Sequence, residues 1–134
     1  MLKGEAIEGF LDRLAAEGAN YEEVEDGIWR VKPSGALDFD VVVHFSPPVV
    51  LLRVKVMNLP QDATSIAVLS RRLLELNASD LVHGSYGISG EQIVLTEALE
   101  LSHLDYEEFL AAYEGMTLAL VAHLPELATF KEAR

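Results

Sequence analysis

The sequence predicts an α+β domain, and three observations carry that expectation. Apolar residues recur at helical spacing near both ends and in the middle of the chain, runs dense in β-branched and aromatic residues lie between them, and prolines and glycines punctuate those runs. The expected order is α-β-β-β-α-β-β-α, a single domain over residues 1–134 with a five-stranded, mainly antiparallel sheet and its helices packed on one face. A chain of 134 residues, half of them hydrophobic, suffices for one real core.

The first helix rests on Ile7, Phe10, Leu11 and Leu14, with Glu5, Glu8, Asp12 and Arg13 opposite and Gly18 placed to stop it. IWRVK, DFDVVVHF and VVLLRVKV then read as three antiparallel strands, separated by PSGA and SPPV. Their register follows from keeping apolar side chains together, because a slip of one residue would exchange the core and solvent faces. With SPPV as the connection, Phe45 faces Val50, Val43 faces Leu52, Val41 faces Val54 and Phe39 faces Val56. Pairing Trp29 with Val41 sets Arg30 opposite Asp40 and Asp40 opposite Lys55, a charge row expected on a solvated sheet face.

Asp62 is placed to cap a second helix with the stripe Ile66, Leu69, Leu73 and Leu76, and Asn77 suits its end because it tolerates a left-handed conformation. The stretch LVHGSYGISGEQIVL, residues 81–95, reads as a hairpin. A Ser89-Gly90 turn sets Ile88 against Glu91, Tyr86 against Ile93 and Gly84 against Leu95, so that Gly84 leaves space for Leu95 or a crossing helix. Asp105 and Glu108 form a capping-box-like start to a third helix with a wide apolar stripe that includes Tyr106, Phe109, Tyr113, Met116 and Leu120. Pro125 should break or kink that helix and leave ELATFKEAR as a short final turn or helix.

The composition excludes several functions. With 22 acidic against 10 basic side chains, a net charge of −12 works against binding to nucleic acid or to an anionic membrane surface. Without cysteine there is no disulfide, no thiolate zinc site and no thiol nucleophile. The opening MLKGEAIEGFLDRL lacks the apolar core of a signal peptide or membrane span, and the cytoplasm is the expected compartment. Ser85 does not stand in a nucleophile elbow, since position 83 is His rather than Gly and a strand follows. Glycines 84, 87 and 90 do not lead into a helix as a phosphate cradle would. His44, His83, His103 and His123 show no metal-ligand spacing, and the acidic run Glu22, Glu23, Glu25, Asp26 reads as a solvated turn.

The order LLELN, GSYGI, a glycine turn, QIVLTEALEL and HLDYEEFLAAYEGMTLALVAHLPEL, behind the leading helix and three strands, resembles the YbjN family and the related Tir-chaperone (CesT-like) proteins of the type III secretion chaperone-like fold. The resemblance spans almost the whole chain in element order. It implies a small, acidic, often dimeric, non-enzymatic protein without a cofactor, which in the secretion-chaperone branch wraps an extended client segment over hydrophobic patches. It supplies no catalytic residue. The resulting expectation is a homodimer that binds a client protein or regulatory partner, with Leu69, Leu73, Leu76, Tyr86, Ile88, Val42 and Leu51 as candidate contacts. The alternative is a small-molecule or enzymatic pocket near His83, Ser85 and Tyr86.

Overall fold

A computed structural model of the chain describes residues 3–35 and 37–131. The elements run α1 (Gly4–Ala16), β1 (Asn20–Glu25), β2 (Ile28–Lys32), β3 (Val41–Ser46), β4 (Val49–Asn58), α2 (Ala63–Ser79), β5 (Ser85–Ser89), β6 (Gln92–Glu100), α3 (Tyr106–Leu127) and a short 3-10 turn at Ala128–Phe130. All strand pairs are antiparallel, in the spatial order β1-β2-β3-β4-β6-β5. The sheet therefore has six strands where five were expected. The additional strand, β1, is the acidic run read from sequence as a turn. It is an edge strand, almost wholly exposed, so it shows none of the apolar alternation that reveals a strand, and its charges discourage pairing with another chain.

Alternation along the inner strands separates two faces. Trp29, Val31, Val41, Val43, Val50, Leu52, Val54, Ile93 and Leu95 join Ile7, Leu11 and Leu14 of α1, Leu69, Leu73 and Leu76 of α2, and Phe109, Met116 and Leu120 of α3 in one core. The intervening Arg30, Lys32, Leu51, Arg53 and Lys55 face solvent. Phe10 packs against Tyr106 and Phe109 at ring separations of 5.8 and 5.3 Å, which docks α1 on α3. Gly18, with φ +109°, lets the chain turn out of α1 into β1.

The register between β3 and β4 agrees with the expected pairs Phe45 with Val50 and Val43 with Leu52, although the ladder ends at Val42 with Arg53, short of the two pairs expected beyond it. Elsewhere the faces are as expected while the partners move by two residues. Trp29 pairs with Val43, not Val41, and Tyr86 pairs with Leu95, not Ile93. The hairpin turn is accordingly Gly90-Glu91, with Gly90 at φ +61° in the first turn position, where primed turns need positive φ. The charge row also changes. Arg30 contacts Glu22 at 3.2 Å and Asp40 at 3.8 Å, and Lys32 contacts Asp40 at 3.7 Å, while Lys55 lies outside the group. Asp40 precedes β3, so it reaches the two cations diagonally rather than across a ladder.

Both expected helix caps are present. The Asp62 carboxylate accepts from the Ser65 N–H at 2.8 Å, and Asp105 with Glu108 makes a full capping box. Two helix ends differ from expectation. The second helix runs two residues past Asn77, whose side chain turns to β5 instead. The third passes through Pro125, because contacts on both sides hold it: His123 is bonded before the proline, Glu126 makes a two-pronged pair with Arg72 at 2.6 and 3.1 Å, and Leu127 is buried.

Candidate functional site

The chemically richest region is where the C-terminal half of α2 meets β5 and α3. Asn77 projects from α2 onto the outer edge of β5. Its Nδ2 donates to the Tyr86 carbonyl at 3.1 Å, and its Oδ1 accepts from the Tyr86 N–H at 2.7 Å. A side-chain amide thus does for Tyr86 what a neighbouring strand would do. Because alternate residues of a strand point their main-chain groups the same way, Ile88 also presents its N–H and C=O outward, beyond the reach of Asn77.

Beneath this edge the Tyr86 hydroxyl lies 2.7 Å from Nδ1 of the buried His123, and the other ring nitrogen, Nε2, lies 3.1 Å from the Asp80 carboxylate at the end of α2. A phenol donating to Nδ1 leaves the proton of a neutral imidazole on Nε2, directed at Asp80. The hydrogen bonds from His123 and then Ser79 hold Asp80 below the usual carboxylate range. Burial, reinforced by the charge of Asp80, pushes the Tyr86 hydroxyl well above its ordinary value. An activated tyrosine would need the opposite shift, so this Tyr-His-Asp chain has the character of a structural tie.

Burial likewise raises Tyr113 on α3 to about 12, with Glu114 and Tyr106 adding to the effect. Both phenols remain neutral in the folded chain over a pH range in which an unfolded tyrosine, with its pKa near 10, ionises. Stability from these groups is fully present below about pH 10 and is lost as pH rises toward 12. Stability measured in urea at stepped pH is expected to fall steadily above about pH 10, less steeply in Tyr113→Phe; a flat profile to pH 12 would contradict the assignment.

The residues of the expected pocket do not converge. His83 Nδ1 pairs with Glu97 at 3.2 Å and packs close to the small Gly115 of α3. Ser85 and Tyr86 are successive residues of β5, so their side chains leave opposite faces of the sheet, Ser85 to solvent and Tyr86 to the core. Among the seven candidate contacts, Leu69, Leu73, Leu76 and Tyr86 are buried within a single copy, Val42 is half-buried on the solvent face, and Leu51 and Ile88 are exposed. Ile88 stands with Leu74, Leu73 and Tyr86 around an apolar notch of about 190 Å³ between α2 and the β5 edge. Sequence reasoning missed Leu74 and the buried His123. Leu74 breaks the polar side of an otherwise amphipathic helix, which was the available signal; nothing local marked His123.

The family model CesT_Tir_1 matches residues 2–133. A chain of the heterodimeric ExoU-SpcU complex from the type III secretion system of Pseudomonas aeruginosa has a TM-score of 0.62 at 18% identity, covering 84% of this chain and 92% of that one. YbjN, described as a putative transcription regulator from E. coli, superposes with a TM-score of 0.65 at 14% identity, covering 94% of each chain. A chain of the HopA1-SchA chaperone-effector complex gives 0.58 at 10% identity, covering 93% of this chain and 99% of that one. At these identities the superpositions describe a shared fold. A comparison with curated proteins gives no match.

Proposed function

Because the chain belongs to the CesT_Tir_1 family, we propose that it is a non-enzymatic, chaperone-like protein that works as a homodimer and holds a segment of a client protein on apolar surface. The observation that carries this reading is the exposed apolar surface of α2 and β5, where Leu74 and Ile88 are 67% and 53% exposed. Both border the notch floored by Leu73 and Tyr86, and Val68 on the same helix is exposed as well. Uncharged surface of this kind suits an isologous contact, since a two-fold axis sets the same patch against itself without opposing like charges. The half-buried Val42 and the exposed Leu51, on the solvent face of the sheet, remain available to a client. The cytoplasm is the compartment this reading implies.

Light scattering should give a mass twice 14.7 kDa for the native chain. A Leu74→Asp/Ile88→Asp double variant should raise the dimer dissociation constant about 100-fold, since a two-fold contact loses four apolar side chains, each partly covered already and worth about 0.7 kcal/mol. Both side chains are exposed in the single chain, so the variant should melt as the native monomer does. A native chain that is monomeric at every concentration, and that retains no protein from its own cell extract, would sink the reading.

A further inference from the structure

We infer that the solvent face of the sheet, along the outward side chains of β4, docks an acidic and aliphatic segment of the partner protein. This rests on the protein-binding reading above and adds the chemistry of the partner and its place. The outward side chains of β4 are the half-buried Val49, opposite Glu100, and then Leu51, Arg53 and Lys55 in succession. Leu51 pairs with His44 and Ala98, Arg53 with Val42 and Thr96, and Lys55 with Val94. The face thus offers an aliphatic end and a cationic end.

Its charge sets it apart from the rest of the molecule. Carboxylates outnumber basic side chains 22 to 10 in the chain, yet four of the ten basic residues, Arg30, Lys32, Arg53 and Lys55, lie on this one face. Arg30 and Lys32 are paired with Glu22 and Asp40. Arg53 instead donates to the neutral hydroxyl of Ser89 at 3.0 Å, and Lys55 makes no ion pair among the described residues. Lys55 also borders a cleft of about 420 Å³ that Lys131 and Asn58 line and to which no carboxylate contributes among the described residues. In so acidic a chain, two adjacent cations left without a carboxylate among the described residues match a partner that brings its own.

Spacing makes the partner more specific. Alternate residues of a strand stand about 6.7 Å apart, and so do alternate residues of an extended peptide laid along it. Carboxylates at positions i and i+2 would meet Lys55 and Arg53 while an aliphatic side chain at i+4 met Leu51, or the same pattern in reverse. A second copy does not fit here, because a two-fold axis would bring Arg53 and Lys55 against their own kind. A polyanion would face the net charge of −12 on the whole chain.

The test is calorimetric titration of the full chain with three 12-residue peptides. One carries Leu-Ser-Glu-Ser-Glu repeats, one has lysine for glutamate, and one has serine for leucine. Support for the proposal is binding of the first peptide alone, weakened about tenfold or more in Arg53→Glu/Lys55→Glu and several-fold by raising salt from about 50 to 300 mM, with Arg71→Glu as an unaffected control. Both changed residues are exposed, and thermal melts confirm that the variant folds. Equal binding of the acidic and basic peptides, undiminished binding to the double variant, loss of the dimer in that variant, or displacement of the acidic peptide by single-stranded DNA would each overturn it. A client held as tightly by Arg53→Glu/Lys55→Glu as by the native chain overturns this inference and leaves protein binding standing. Failure of every peptide and every client to bind overturns both.

Discussion

Gly84→Val should cost about 3 kcal/mol or more and leave little folded protein, with two separable causes. Gly84 enters β5 at φ +85°, in the left-handed region, where a β-branched residue is strained by about 1–2 kcal/mol. A Cβ there would come within 3.1 Å of Met116 Cγ, 3.3 Å of Leu95 Cδ1 and 3.4 Å of the Thr96 carbonyl. Met116 and Leu95 are buried, so neither can withdraw freely, and overpacking of this kind costs about 1–3 kcal/mol. Gly84→Ala should show the strain and the first contacts without the second branch, and fall between Val and the native chain. Ser85→Ala, one residue along but on the solvent face, should change stability by less than about 0.5 kcal/mol. Urea denaturation of the three variants makes the comparison, and a Gly84→Val chain as stable as the native one would show that the strand and α3 are not in the contact described.

The second large effect is expected at Asn77. Replacing it with alanine removes both hydrogen bonds to the Tyr86 main chain and leaves two part-buried polar groups without a partner, at a cost of about 2–3 kcal/mol. It also frees the β5 edge. Tyr86 and Ile88 would then offer consecutive outward N–H and C=O pairs, beside the exposed side chains of Ile88 and Leu74, which is the arrangement that recruits another strand. Asn77→Ala should therefore be less stable and also more prone to self-associate through β structure. Amide exchange at Tyr86, followed with the urea midpoint, checks the cause. Unchanged protection of that amide would rule out the pairing.

The fold was largely legible in the sequence because period and parity are strong signals. Every strand with one buried face was found, since Val41, Val43, Val50, Leu52 and Val54 cannot exchange faces with Arg53 and Lys55 without exposing the core. Parity leaves shifts of two residues undetermined, and the errors at Trp29 and Tyr86 were of that size. Two of the remaining misses, at Asn77 and Pro125, have one cause, namely that long-range contacts outweighed local preference. Asn77 is a reasonable helix terminator locally, but the open main chain of Tyr86 satisfies its amide better. Pro125 disfavours helix locally, but His123, Glu126 and Leu127 hold the turns on either side. The acidic β1 buries almost nothing and so left no apolar trace. Surface function was harder to read for a related reason. An amphipathic stripe identifies what α2 buries, whereas what it presents depends on Leu74 and Ile88, distant in sequence, meeting at one notch.

The tie from Tyr86 through His123 to Asp80 also bears on how the molecule comes apart. A strand at the rim of a sheet ordinarily frays on its own, since it has one neighbour and little to lose. Here β5 cannot peel from β6 without breaking contacts to the end of α2 through Asn77 and to the late turns of α3 through His123. Those late turns are themselves joined to the middle of α2 by Arg72 and Glu126. These contacts join the hairpin and the two helices, so the rim strand is expected to open together with the domain rather than on its own. In the proposed dimer, two copies would meet at this rim without trading strands, because the local opening that an exchange requires would be coupled to global unfolding.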